Sequence, residues 1–512
     1  MVQLARSGWD DVIVGAGSAG GVLASRLSER GDRRVLLLEA GADDAALTPH
    51  APGQPVLTGH NWDYVAHLGA DGEGRQFPYR VGKVVGGSSA VNGAVALRGL
   101  PRDFDGWAAA GNPEWAWRRV LPYFIRLEAD ADFKDEEHGS DGPIPIRRLP
   151  AGEFGVMAIA FRSGCRALGL PDLPDLNRGA DIGVGPLPTN SLGGQRMSTA
   201  VTYLALARVR PNLTVRSGCQ VTRVLVDGDR AVGVEVLSDG RLHQVRAGQV
   251  TLCAGAASTP AILQRSGVGA ARRLASLGIR PVADLPGVGE NLADHPTMAI
   301  WTRPAPGVCQ EGGPWHSVMA RVASTGGEPD FGIFLATNVT TGTINIPGID
   351  AMLAGRTAAA VSAMLLDPVS RGTVFLRDSA PDAHPEIVLR LASAPSDLDR
   401  LVRGTRLAWS LLRSSPFAEL VERVLVWTDR LVDDDRMLRR AIPKFVSPMW
   451  HPAGTARMGP ATDDMAVVDQ HCRVHLMRAL RVVDASVMPS IPSAPTNLSC
   501  IMLAERVAEW MG

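Results

Sequence analysis

Lysine is almost missing from this chain. Of 52 basic residues only Lys83, Lys134 and Lys444 are lysines, and the arginines that make up the rest are scattered instead of gathered into a patch. Net charge is missing too: 53 acidic residues leave a formal charge of -1, which gives no overall drive toward nucleic acid or an anionic membrane. The six cysteines (Cys165, Cys219, Cys253, Cys309, Cys472 and Cys500) are widely spaced with no C-x-x-C pair. That excludes a disulfide framework and fits a reducing, cytoplasmic setting. No run reaches 18 apolar residues, and MVQLARSGWDDVIVG has no apolar core leading to a cleavage site, so neither a membrane span nor a leader is expected. Shares of 45% hydrophobic and 21% charged residues exclude wholesale disorder. At 512 residues the chain exceeds the soft prior of roughly 150 residues per domain more than threefold, so two cooperating domains are expected.

Glycine is abundant, at 55 residues, and its placement is informative. From Asp11 to Gly41 a β-branched run, Val12 to Val14, meets Gly15-x-Gly17-x-x-Gly20. Helix-period apolar residues Val22, Leu23 and Leu27 follow, then a second strand from Val35 to Leu38 that ends in Glu39. In such a β-α-β unit the first glycine permits the tight turn, the second lets a diphosphate approach the backbone, and the third lets helix and strand pack closely. Glu39 is placed to accept hydrogen bonds from ribose hydroxyls, and its charge disfavours a 2′-phosphate. The unit therefore binds a dinucleotide, with NAD and FAD both open at this point.

Two further junctions are similar. RVGKVVGGSSAVNG at 80–93 offers Gly82, Gly86, Gly87, Ser88 and Ser89 as a loop able to wrap a polar cofactor. GAASTPAILQRSGVG at 255–269 follows a strand end and carries Pro260, suited to a first helical turn, with Gly267 and Gly269 as a stop. Three such junctions, far apart in sequence, suggest one discontinuous cofactor domain.

Several stretches in order resemble the glucose–methanol–choline (GMC) family of FAD-dependent oxidoreductases. They are the dinucleotide unit with its E-A-G, GKVVGGSSAVN, RGLPRDFDGW (98–107), HGSDGPIPI (138–146), the 255–269 stretch, LPGVGENLADH (285–295), SRGTV (370–374), WHPAGTARMG (450–459) and VVDASVMP (482–489). The resemblance spans Asp11 to Glu505. It implies an α/β fold in which a Rossmann-like FAD-binding domain (1–100, 196–300 and 447–512) is interleaved with an α+β substrate-binding domain (101–195 and 301–446). It selects FAD over NAD, with cofactor-binding residues at Gly15, Gly17, Ser18, Ala19, Gly20, Glu39, Ala40, Gly82, Val84, Gly87, Ser88, Asn92, Gly93, Val221, Ala254, Gly255, Asp484, Ala485, Pro495 and Thr496.

The resemblance also implies the chemistry. An alcohol loses its hydroxyl proton to a base while a hydride leaves its carbon for flavin N5, and His451 in WHPAGT is the expected base. The second active-site position, His or Asn in most members, falls on Pro495, whose side chain neither donates nor accepts. Asn497, two residues on, is the second-ranked catalytic candidate. Helical spacing of Leu498, Ile501, Met502, Ala504, Val507 and Ala508 after Pro495 predicts a C-terminal helix. Its N-terminus, if set against the flavin, would favour the negative charge of the reduced ring. Relatives with covalent flavin carry a His in the GGSS-x-x-N region, where this chain has Val91 before Asn92, so non-covalent FAD is expected. Met449, two places before His451, says nothing about reactivity with oxygen.

The expected activity is therefore oxidation of a primary or secondary alcohol, a small molecule, with oxygen or another electron acceptor reoxidising the flavin. The alternative is a flavin-containing hydroxynitrile-lyase-type enzyme of the same fold. No metal is expected: His471-Cys472-x-x-His475 reads as part of a structural connection, and the acidic runs at 132–137 and 433–435 as solvated loops or helix starts. Trp301, Trp315, Phe331 and Phe334 are candidates for a substrate pocket or, equally, for core. TRPAPGVCQEGGP (302–314) reads as a crossing or lid loop.

Overall fold

The computed structural model describes residues 8–44, 47, 53–69, 75–340, 349–353 and 355–512. Residues 1–7, on which part of the leader reading rests, lie outside the described residues.

Strand Trp9–Val14 lies in a parallel set beside Val35–Leu38 on one side and residues 247–252 on the other. Leu213–Arg216 extends the set past Val35–Leu38, and Leu480–Val482 pairs with residues 250–252. Val35–Leu38 is buried at every residue, as a parallel strand covered on both faces must be. The long strand Arg241–Leu252 leaves this set at its N-terminal half to join an antiparallel meander with Arg230–Ser238 and Gln220–Asp227.

Helix Ser18–Leu27 crosses from the first strand and packs on the C-terminal helix Thr496–Met511. The Arg26 guanidinium reaches across to Glu505 (2.8 Å), a carboxylate 1% exposed that also accepts from the Tyr203 hydroxyl at 2.6 Å. Glycine at position 20 is required by contact: a Cβ there would lie 1.9 Å from the Gly15 carbonyl oxygen, so no other residue lets the helix sit this close to its strand.

A second, antiparallel sheet runs in the order 421–424, 296–304, 358–365, 331–339, 318–322, 183–186, and is buried against the 19-residue helix Pro395–Arg413. Strands Asn61–His67 and Gln76–Gly82 form a smaller sheet with Glu386–Val388 and Thr373–Phe375. Phe104, Trp107, Trp115 and Phe124 pack in the same core as the first sheet, so residues 101–127 belong to the body that carries the parallel strands. Strand Pro296–Pro304 belongs wholly to the second sheet. No helix among the described residues is long and apolar enough to cross a membrane.

Candidate active site

The C-terminal ends of the parallel strands and the inner face of the second sheet enclose a cavity of about 690 Å³, large enough for a cofactor and a small substrate. Every site residue expected from the sequence lines it except two. Gly20 packs beneath the first turn, and Val84, fully buried, bridges to Ala42 while its carbonyl accepts from the Gly87 N–H at 2.7 Å. Both support the lining from behind.

The donor set suits FAD. Glu39 is 6% exposed, and its two oxygens accept from the Ala16 and Gly41 N–H groups at 2.9 Å. Burial pushes its pKa up to about 7 in spite of these bonds. A carboxylate held this way has lone pairs left for ribose hydroxyls. Helix Ser18–Leu27 starts at Gly17 with no side-chain cap and no acid in its first turn, leaving its N–H groups and positive end for a diphosphate. The second glycine loop meets it backbone to backbone: Gly87 has φ 51°, and a Cβ there would lie 2.6 Å from the Gly17 Cα. Asn497, in the first turn of the C-terminal helix, accepts at Oδ1 from the Ser18 hydroxyl (2.7 Å), while its buried Nδ2 has no partner among the described residues. That amide is a free donor in a cavity wall. Asp484 is spent on structure: one oxygen takes Gly255 N and Thr259 Oγ1, the other Ser486 N and Oγ.

His451 sits on a segment fixed by its backbone. Asp294 accepts from the N–H groups of Met449 and His451, each at 3.1 Å, and from the Tyr79 hydroxyl. Ala293 and Ala453 exchange both backbone hydrogen bonds, and Pro296 pairs with Pro448. These ties hold Trp450 at φ 56°, a conformation that costs a non-glycine residue about 1 kcal/mol. The result aims the His451 ring into the cavity wall, where burial holds its pKa well below the ordinary histidine value. Burial of this kind favours the neutral imidazole over the imidazolium.

Sequence reasoning missed His295. It closes LPGVGENLADH and is completely buried, with Nδ1 at 2.9 Å from His451 Nδ1 and Nε2 facing the carbonyl oxygens of Leu366 (3.1 Å) and Pro492 (3.0 Å). The only signal was a second imidazole inside a quoted motif. His316 was missed as well: it lines the cavity with Nδ1 on the Leu335 carbonyl at 3.2 Å. Trp301, Trp315 and Phe334 line the cavity, whereas Phe331 is fully buried in the second core beside Gly404. Away from the cavity, His475 Nε2 meets the Gly459 carbonyl at 3.1 Å and the His471 ring lies edge-on to Trp510.

The match to GMC oxidoreductases is extensive, over residues 9–297 for the N-terminal part and 368–504 for the C-terminal part, and the chain belongs to that family. It is an FAD-dependent oxidoreductase of the class that takes CH–OH donors. Among its relatives, 5-(hydroxymethyl)furfural oxidase of Methylovorus sp. strain MP688 is 39% identical, covering 98% of each chain. Oxygen-dependent choline dehydrogenase of Paraburkholderia phytofirmans is 37% identical over 99% of this chain and 94% of its own. The crystal structure of pyridoxine 4-oxidase from Mesorbium loti superposes with a TM-score of 0.89 at 31% identity, covering 98% of this chain and 99% of the other.

Proposed function

We propose that the enzyme oxidises the CH–OH group of a small alcohol carried on a flat, uncharged or anionic ring, with His451 as the base that takes the hydroxyl proton. The observation that carries this reading is the buried His451 imidazole in the wall of the same cavity that Gly15, Gly17 and Glu39 line at its other end. FAD, when bound, supplies a two-electron acceptor for the substrate's hydride. The chain's own contribution is to hold the alcohol with its oxygen against His451, to receive its proton, and to exclude water with Trp301, Trp315, Phe334, Met364 and Met449. Asn497, bonded to Ser18, is assigned to the cofactor side and not to proton transfer.

Charge in the lining argues for ring alcohols over choline. Among the described residues its carboxylates are Glu39 and Asp484, both in the cradle, while Arg75, Arg80, Arg265 and Lys444 also face the cavity. A quaternary ammonium would meet like charge and, among the described residues, no carboxylate outside the cradle, a cost of several kcal/mol. A hydroxymethyl heteroaromatic alcohol is therefore expected to exceed choline in kcat/KM by about 100-fold or more. Comparable values for the two would overturn the substrate class.

The flavin is proposed to be dissociable, since Val91 offers no nucleophile where relatives attach it. Acid precipitation is expected to leave all of the yellow chromophore in the supernatant. Colour that stays with the pellet would mean a covalent bond elsewhere.

Anaerobic mixing of the FAD-loaded protein with a panel of alcohols tests the reaction itself. Bleaching of the flavin band is the expected result, followed by oxygen or a dye as reoxidant. No bleaching by any alcohol, with aldehyde released from a cyanohydrin, would replace this reading by a lyase.

A further inference from the structure

We propose that His295 is a positioning residue: it fixes His451 as the tautomer with its proton on Nδ1, which leaves a bare lone pair on Nε2 to act as the base. This rests on the reading of His451 as base.

The argument is one of counting protons. His295 Nε2 lies within hydrogen-bond distance of two carbonyl oxygens, Leu366 and Pro492, and carbonyls only accept. Nε2 must therefore carry the proton. The ring is completely buried, and no carboxylate oxygen is bonded to it. The adjacent Asp294 carboxylate is engaged by Tyr79, Met449 and His451 N–H. Burial holds the His295 pKa down to about 4, so the ring is neutral and its Nδ1 is a lone pair. That lone pair faces His451 Nδ1 at 2.9 Å, with the rings 84° apart. Two ring nitrogens this close share one proton, which can only be His451's. A neutral imidazole has a single N–H, so His451 Nε2 is bare.

The alternative tautomer would have a proton at Nε2 and could not accept another. Among the described residues the His451 ring makes no other hydrogen bond, and position 495 is a proline, so His295 alone orients it. When the substrate proton arrives on Nε2, the proton on Nδ1 stays in place. The bond to His295 becomes charge-assisted and strengthens as the imidazolium forms.

Motifs remote in sequence hold His295's other side. The segment carrying Pro492 is pinned by Asp103, which accepts from Ser493 N (2.6 Å) and Oγ (2.7 Å), and by the Trp107 indole N–H on the Ser490 carbonyl (3.1 Å). RGLPRDFDGW thus acts on the base through two intermediaries.

The test uses FAD-loaded protein with 15N-labelled histidine, His451 being assigned by the resonances lost in His451→Gln. The parent is expected to show a protonated Nδ1 and an unprotonated Nε2 at His451. His295→Asn puts an amide oxygen where Nδ1 was and should keep that pattern, with flavin reduction by an alcohol within about tenfold of the parent. His295→Leu removes the acceptor: the tautomers should mix and the reduction rate fall about 100-fold at nearly unchanged substrate Kd, within the range that general-base catalysis provides. An Nε2-protonated His451 in the parent, or a leucine variant with the parental tautomer and rate, would overturn the proposal. Equal losses in the Asn and Leu variants would show a purely structural role and do the same. If no alcohol reduces even the parent's flavin, the proposed function fails while the parent's spectrum still decides the tautomer.

Discussion

His451→Ala is expected to slow flavin reduction by an alcohol about 1,000-fold, the middle of the range for removing a general base. The cradle residues stay in place, so FAD content and the visible spectrum should match the parent. The pH profile carries the sharper signature. Burial holds the His451 pKa well below the ordinary histidine value. The base is active only when neutral, so the parent's rate should hold as pH falls through 6.5 and decline only well below it. A solvated histidine would already have lost half its activity there. In His451→Ala this acid limb should vanish, leaving a slow rate that climbs with hydroxide. Stopped-flow reduction between pH 5 and 9 checks both. A variant at the parental rate, or one that keeps the parental acid limb, would remove His451 from the mechanism.

His138→Leu is expected to destabilise the protein by about 3–5 kcal/mol while leaving the cavity untouched. His138 has no exposed side-chain surface and stands 3.3 Å from Glu128 and Asp130 and 3.2 Å from Asp175, while Arg98 pairs with Glu128 and Arg148 bridges Asp130 and Asp175. Burial alone would lower the imidazole pKa, but the three carboxylates outweigh it and raise it to about 11. Three cations then balance three anions. Glu128, Asp130 and His138 have the ligand types of a metal site, yet guanidinium groups already sit on the same carboxylate oxygens. Without His138 the cluster keeps an uncompensated buried charge, which is why the expected loss is so large.

The sign of the pH dependence follows. A histidine raised above its unfolded pKa contributes fully below about pH 6.5, and the contribution is lost only as pH rises through about 11. The stability gap between parent and His138→Leu should therefore be wide at neutral pH and narrow toward pH 11. It should narrow again in acid, where a carboxylate of the variant takes up a proton. An apparent Tm lower by about 3–5 °C at pH 7 is the expected reading. A shift under 2 °C would mean that His138 is neutral and the cluster is not balanced by it.

This cluster also shows what a motif conceals. HGSDGPIPI and RGLPRDFDGW were legible as family stretches, but their work is structural. Gly139 and Gly142 let the chain wrap over Glu128, where a Cβ would lie 1.9 Å from the Ile125 carbonyl oxygen or 2.3 Å from the Glu128 nitrogen. The glycine spacing is set by backbone contact and not by a ligand. His138 stands in a family stretch as His451 does, but only His451 lines the cavity.

Local physics made much of the cradle readable. A glycine under a helix and an acid at a strand end act through neighbours within about thirty residues, Gly20 on the Gly15 carbonyl and Glu39 on the Ala16 and Gly41 N–H groups, so both could be interpreted one by one. From the sequence came the β-α-β unit and the expectation of a discontinuous cofactor domain, and, through the family resemblance, His451 as the candidate base and a proline without a side-chain donor at position 495. The tertiary structure alone decided which histidine faces His451 and which aromatic residues reach the cavity. It also showed that Asn497 turns toward Ser18 and that His138 closes an ion cluster. Each of these depends on contacts between segments separated by up to 479 residues, as for Ser18 and Asn497. A proton's place on an imidazole depends on what faces the other nitrogen, and no periodicity or spacing along the chain records that.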